Sequence, residues 1–430
     1  MTFSSDTVDH KVGELGGDFH WQFGCARPET FGEGIALGLF LFTSFQAALL
    51  FPDVTLIPAE RTKLFPAVLA GLSLAASLIF CRRESVTTGT KGEILVSAAL
   101  TALIVLSGLM SKTWESSSLR GFAVATSGLG GFWCARILLG SAGRQWLFVG
   151  FCSALVFLVG VIGLLGYLQG RDITKFLDVN PHPVACRILL LSFAPVALIM
   201  LRRTLPIAVG LFMLAISYSI FLFSNLRSAT LIPLILALIA AAYRVLKLRY
   251  LMIVFVPAAV VLAYFFSQLP EIKRGLALEY EPAYYRVENY PFSLHVALKH
   301  PWLGIGLRAP RESYLADYEM RYPWVSKEEF AASVRRIVTS ENTFLNFMVD
   351  LGFPFLILYL ACLGTLFLKL IRATRNQLPF DKIPPLAILL SLTAGVLHFL
   401  VLDGLLHPHI SWFFHVLLGL IPTGNAIDRR

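Results

Sequence analysis

Apolar runs of about 20 residues recur along almost the whole chain, and each is long enough to cross roughly 30 Å of hydrocarbon as a helix. Two examples are "LFVGFCSALVFLVGVIGLLGYL" and "FPFLILYLACLGTLFLKL". Backbone amides in lipid must be satisfied internally, and these runs lack a strict two-residue alternation, so helices are expected rather than a barrel. Only 15% of the 430 residues are charged, against about 25% in a soluble domain, and mean hydropathy is +0.70. The expected fold is therefore all-α, a polytopic membrane helical bundle of about 12 transmembrane helices. The spans are read at roughly 31–51, 64–81, 93–110, 121–140, 146–169, 187–201, 207–225, 229–244, 250–267, 343–370, 385–403 and 411–425.

Orientation follows from the bias of Lys and Arg in short loops. Alternate loops carry Arg82, Arg83 and Lys91; Arg144; Arg202 and Arg203; Arg244, Lys247 and Arg249; Arg372, Arg375 and Lys382; and then Arg429 and Arg430. The opposite set is poorer, which predicts both termini in the cytoplasm. The net charge of +9 is then mostly topological bias and attraction to anionic lipid, so nucleic acid is not an expected partner. The first 30 residues form an expected cytoplasmic tail. They lack the basic start and apolar core of a cleavable signal, so the first span is expected to direct insertion. Cys25, Cys81, Cys134, Cys152, Cys186 and Cys362 show neither metal-ligand spacing nor a disulfide framework.

Four regions follow: the tail 1–30, spans one to nine over 31–267, a large polar loop 268–342 on the non-cytoplasmic side, and 343–430 with three more spans and a short tail. The loop holds as many acidic as basic residues, and its many Tyr and Trp residues argue against a disordered tether. "RVENYPFSLHVALKHP" and "SKEEFAASVRRIVTSEN" place apolar residues at helical spacing beside charges, which predicts short amphipathic helices over the mouth of the bundle.

The charges near that mouth are the candidate site. Arg227, in "SNLRSAT", sits in a tight turn between two spans beside Ser224, Asn225 and Ser228. A cation there is expensive unless it faces a cavity or a partner, and snorkelling to lipid phosphate is the alternative. Arg286 opens the first loop helix, where pairing with Glu281 or Glu288 would equally account for it. In "LKHPWLGIGLRAPRESYL", Gly304 and Gly306 allow backbone to approach backbone or ligand, while Arg308 and Arg311 add positive charge. Arg187 and His182 lie at the start of a span in "NPHPVACRILLL". Asp403, His407 and His409 could in principle hold a metal, but a third clear ligand is wanting, and no metal or cofactor is expected. Glu341 and Asn342 begin "ENTFLNFMVDLG". An N-cap and an acid complementing the helix dipole would explain both. Alternatively, the Glu341 carboxylate could accept a proton from a sugar hydroxyl while the arginines bind a diphosphate.

The order of these motifs resembles the O-antigen ligase and O-antigen polymerase superfamily over roughly residues 180–370. "NLRSA" matches the family's Ser-Arg-Gly turn loosely, Arg286 its loop arginine, and "KHPWLGIGL" its Pro-Gly-Gly turn. The family's His-Asn-x-(Tyr/Phe)-Leu helix start is matched by "ENTFL" except that Glu341 takes the place of histidine. The resemblance implies a GT-C-like, metal-independent glycosyltransferase of the bacterial inner membrane with its site facing the periplasm. Its donor would be an undecaprenyl-diphosphate-linked glycan, and the acceptor another glycan or lipid A-core; membrane lipid and a chain-length regulator would be further partners. By the same resemblance Arg227 and Arg286 hold the diphosphate; Glu341 is the candidate base in place of the histidine, and Arg187, His182, Arg308, Arg311 and Asn342 are the candidate substrate-binding residues. The missing histidine favours a polymerase of O-antigen or exopolysaccharide units over a ligase. A transporter or flippase of lipid-linked glycans is a further alternative, but it would need more ionisable residues in mid-span than Asp350 and Arg136.

Overall fold

The structure is a computed structural model that describes residues 30–49, 65–81, 91–112, 114–169, 181–201, 203–223, 232, 235–236, 239, 281–322, 326–336, 341–375 and 382–422. The longer helices among them are α1 (Phe31–Ala48), α2 (Phe65–Phe80), α3 (Lys91–Met110), α4 (Trp114–Leu138), α5 (Ala142–Leu168), α6 (Pro181–Leu191), α7 (Phe193–Met200), α8 (Thr204–Phe223), α9 (Glu281–Lys299), α10 (Lys327–Arg336), α11 (Thr343–Arg375), α12 (Pro385–Phe399) and α13 (Pro408–Gly419). Two single 3₁₀ turns, Glu312–Tyr314 and Gly404–Leu406, complete the regular structure, and no strand occurs among the described residues.

Five stretches are long and apolar enough to cross a membrane: Phe31–Ala48, Lys91–Met110, Ala142–Leu165, His182–Met200 and Thr343–Arg375. Phe65–Phe80, Thr204–Tyr218 and Pro385–Phe399 are shorter apolar helices. The chain is thus a multi-pass helical membrane protein, all-helical among the described residues. The expected spans 229–244 and 250–267, apart from isolated positions in the first, lie outside the described residues, as does Arg227.

Aromatic packing ties the bundle together. Phe40 of α1 stacks near Phe148 of α5 at 5.3 Å and near Trp412 of α13 at 5.5 Å, and Phe148 continues to Phe193 at 5.9 Å. The indole N–H of Trp412 is not left bare in this apolar setting: it donates to Ser44 Oγ at 3.1 Å. Helix α13 lies unusually close to α4. A Cβ on Gly131 would stand 2.5 Å from the Trp412 carbonyl oxygen, and one on Gly419 would stand 2.4 Å from that of Phe132. Small residues at such crossings let backbones approach where lipid offers no hydrophobic drive for association. Buried charges at the ends of the helices are paired: Arg144 with Glu33 at 2.9 Å, and Arg136 with Glu93 at 3.3 Å. Arg136 is therefore a paired structural cation and no free charge in mid-span.

Two features bring the polar loop onto the bundle. First, the expected amphipathic helices are present as α9 and α10. They bury Phe292, Val296, Phe330 and Val334 in a small second core with Met348 and Val349 of α11. Second, α11 is broken at Gly352, where φ is 84° and ψ 171°, with Pro354 just beyond. The break frees the carbonyls of Val349 and Asp350, which then accept from Ile305 N–H at 3.0 Å and Gly306 N–H at 2.9 Å. Phe353 N–H donates in turn to the Pro301 carbonyl at 2.8 Å. The glycine turn is thereby clasped against the break. Gly304, at φ 65°, has no room for a side chain, since a Cβ would lie 2.3 Å from the Asp350 carbonyl carbon. Of the two possibilities open for Gly304, close approach to backbone is the one realised. Helix α3 bolts the clasp from below: Ser107 Oγ donates to the Asp350 carbonyl and Ser111 Oγ to the Ile305 carbonyl, each at 2.7 Å.

Candidate functional site

The part of α11 before its break, residues 343–351, starts at the same end of the bundle where α12 gives way to the 400–407 loop. Asn342 is its N-cap: Asn342 Oδ1 accepts from Leu345 N–H at 3.0 Å, and its Nδ2 donates to the Leu400 carbonyl at 3.2 Å. Thr343 adds two bonds to the Leu402 carbonyl, from its N–H at 3.1 Å and its hydroxyl at 2.8 Å. Asn342 therefore does structural work at the helix start. Glu341 stands one residue outside the cap, half-buried, with φ 53°. A simple helix-start acid would not need that conformation. A non-glycine residue in the left-handed region costs on the order of 1–3 kcal/mol and persists only where its surroundings fix it.

The one other described non-glycine residue with positive φ is Arg308, also at 53°. Its backbone is held by two neighbours: its N–H donates to Asp350 Oδ2 at 3.0 Å, and its carbonyl accepts from Arg120 Nη1 at 3.0 Å. Thus anchored, its guanidinium reaches the 400–407 loop, where Nη2 meets Asp403 Oδ2 at 2.6 Å. The second oxygen of Asp403 faces His407 Nε2 at 3.1 Å. Burial alone would raise the Asp403 carboxyl, but the charges and hydrogen bonds of His407 and Arg308 outweigh it and hold the group well below the usual carboxylate range. Asp403 is an anion clamped between two donors. The His407 and His409 rings are 5.6 Å apart, and Arg187, His407 and Arg308 all lie close enough to act electrostatically on His409. Arg187 and Arg308, far apart in sequence, thus gather at one end of the bundle.

Arg311 takes a different direction. Its side chain is 2% exposed, and Nη2 binds both Asp350 Oδ1 and Asn346 Oδ1 at 2.9 Å, while Nη1 reaches Ser293 Oγ at 3.3 Å. It ties α9 to α11 from inside rather than presenting charge at the mouth. Arg187 is buried as well, donating from Nε to the Pro183 carbonyl at 3.3 Å and from Nη1 to the Ala48 carbonyl at 3.2 Å. His182 packs against His398, ring centroids 5.7 Å apart, and its carbonyl lies 3.2 Å from His398 Nε2. Arg286 lies in the first turns of α9, and its side chain is outside what the structure describes. The structure therefore brings Glu341, Asn342, Arg308 and Arg187 to one end, turns Arg311 inward, and leaves Arg227 outside the described residues.

Sequence reasoning set Asp403, His407 and His409 aside as a weak metal motif. Among the described residues no group of three His, Cys, Asp or Glu side chains converges as a metal site. Instead the aspartate and His407 close a fork with Arg308. The i, i+4 spacing of Asp403 and His407 was a visible signal, but the arginine that completes the fork is 95 residues away in sequence. Below this end of the bundle, an apolar cavity of about 120 Å³ opens between α3, α4, α11 and α13, lined by Leu100, Phe132, Phe347, Phe355 and Tyr359.

No curated protein matches the chain. The family model described as O-antigen ligase matches residues 189–360, a stretch that includes the clasped glycine turn, the loop helices and the start of α11. That match falls on the motifs' own ground, and residues 189–360 of this chain are similar to the O-antigen ligase family.

Proposed function

We propose that the protein is a membrane glycosyltransferase that moves a glycan from a lipid diphosphate, undecaprenyl diphosphate, onto a sugar hydroxyl at the non-cytoplasmic face. The observation that carries this reading is Glu341. It stands outside the Asn342 cap on a strained backbone and shares the bundle end with Arg308 and Arg187, and by the resemblance it takes the place of the family's histidine. In this reading the Glu341 carboxylate accepts the hydrogen bond of the acceptor hydroxyl and orients its oxygen toward the anomeric carbon. Arg227 and Arg286 bind the diphosphate and stabilise the charge it gains on leaving. The lipid tail runs along the apolar surface between the spans, where the cavity beside Phe355 and Tyr359 has room for only a small part of it.

The acceptor we favour is a second lipid-linked unit, which makes the reaction a polymerisation of O-antigen or exopolysaccharide repeats in the inner membrane. A ligase transferring to lipid A-core is the second reading, favoured by the description of the matching family model. Glu341→Gln removes the charge and keeps the shape, so it is expected to abolish polymer in cells while the protein still inserts. Normal chain lengths in both Glu341→Gln and Arg227→Ala would sink the assignment. Complementation of a polymerase-null against a ligase-null strain separates the two acceptors.

A further inference from the structure

Glycosyl transfer to a hydroxyl releases a proton, and the proposed function leaves open where it goes. Glu341 replaces the imidazole of the family motif, so the helix start itself offers only a carboxylate. A neutral imidazole carries an unprotonated ring nitrogen that can take up a proton. The same bundle end supplies one from another element. His407 ends the loop that Asn342 and Thr343 grip through the Leu400 and Leu402 carbonyls.

Three observations distinguish His407 from a core histidine. Its Nε2 lies 3.1 Å from the anionic Asp403 Oδ1 and 3.4 Å from Arg308 Nη2; the shorter contact, to a group that can only accept, calls for the tautomer with the proton on Nε2 and Nδ1 unprotonated. Among the described residues no protein group holds Nδ1, and the side chain is about a quarter exposed, at 25%. Its backbone is rigid: the His407 carbonyl accepts from Ile410 N–H at 3.1 Å and Ser411 N–H at 2.9 Å, and its own N–H donates to the Gly404 carbonyl at 3.0 Å. Arg308 occupies the other Asp403 oxygen, so the carboxylate cannot rotate away from the ring. The assembly of base, orienting carboxylate and clamping arginine is that of an activated proton acceptor.

We propose that His407 is the proton acceptor of the transfer reaction, with Asp403 and Arg308 as its positioning residues. This rests on the glycosyl-transfer reading above. The acceptor oxygen, oriented by Glu341, uses a lone pair to form the bond to the anomeric carbon. The bond from that carbon to the diphosphate oxygen breaks, and its electron pair leaves with the lipid diphosphate. The hydroxyl proton passes to His407 Nδ1, and the resulting imidazolium keeps its Nε2–H on Asp403, whose charge compensates it. Arg308 carries no proton in the step; it holds Asp403 in place.

The test uses the full-length protein expressed in cells that lack their own polymerase but make the lipid-linked glycan, with polymer read as a ladder on gels. His407→Gln is expected to slow polymer formation about 100-fold or more, the usual scale of lost acid–base catalysis, and Asp403→Asn is expected to slow it in the same direction. His407→Gly, silent alone, is expected to regain polymer when imidazole is added to the medium, which loss of a merely structural contact would not do. Wild-type ladders from His407→Gln, or a membrane-inserted His407→Gly that imidazole leaves silent, would overturn the proposal. If Glu341→Gln abolishes polymer while His407→Gln does not, glycosyl transfer stands and His407 falls. If the wild-type chain itself restores no glycan product, the glycosyl-transfer reading fails and takes this proposal with it.

Discussion

Consider the replacement of Arg311 by methionine. An exposed ion pair would be worth at most about 1 kcal/mol, but Arg311 and Asp350 have side chains only 2% and 0% exposed. Arg311→Met removes the 2.9 Å contact to Asp350 Oδ1 and the 2.9 Å contact to Asn346 Oδ1. Asp350 would retain only the Arg308 N–H at 3.0 Å as compensation for a buried charge. Stranding one member of a buried pair costs about 3–5 kcal/mol, so the single variant should lose about that much. Adding Asp350→Asn neutralises the stranded charge, and the double variant should be more stable than the sum of the singles by about 1–3 kcal/mol. Unfolding of the purified protein in mixed micelles, titrated with SDS and followed by tryptophan fluorescence, gives the full cycle. A loss below about 1 kcal/mol for Arg311→Met, or singles that add within about 0.5 kcal/mol, would refute the claim that this pair fastens α9 to α11.

The clasp and the mouth give three further expectations. Gly304→Ala places a Cβ 2.3 Å from the Asp350 carbonyl carbon at φ 65°, so it should cost more than the roughly 1–2 kcal/mol of the left-handed backbone alone and reduce membrane-inserted protein on immunoblots. Glu288, fully buried, accepts from Tyr318 Oη and from the N–H groups of Arg321 and Tyr322 at 3.0 and 3.1 Å. Glu288→Gln weakens these charge-assisted bonds, by about 1.5–3 kcal/mol for the strongest, and should make the segment around residue 320 more sensitive to added protease. Asp403 is held below the usual carboxylate range, so its pairing stabilises the fold above the ordinary carboxyl pKa of about 3.9 and is lost as pH falls below it. The unfolding temperature of the wild type should therefore drop more steeply than that of Asp403→Asn when pH is lowered through 4.

Much of the helical layout was legible because it depends on local chemistry. Apolar length fixed where α1, α3, α5, the α6–α7 pair and α11 run, since lipid leaves the backbone no alternative to helix. The amphipathic spacing around Phe292 and Phe330 likewise foretold α9 and α10. Within the site, "HPWLGIGL" and "ENTFL" announced a turn and a helix start from their glycines and their cap. Other roles were not written locally. Arg311 and Arg308 are three residues apart and chemically identical, yet one faces Asp350 in the interior and the other Asp403 at the mouth.

The sequence by itself determined that this chain is a helical membrane protein and that a glycine turn precedes a capped helix start beginning at Glu341 and Asn342. Each of these follows from composition, spacing or short-range backbone preference. The tertiary structure decided that Asn342 is the cap and Glu341 is not, that Gly304 serves the break in α11, and that Asp403 and His407 meet Arg308. Those outcomes depend on contacts between residues tens to hundreds of positions apart. Such contacts are set by how buried charges find partners in an apolar bundle, and no local pattern encodes that pairing.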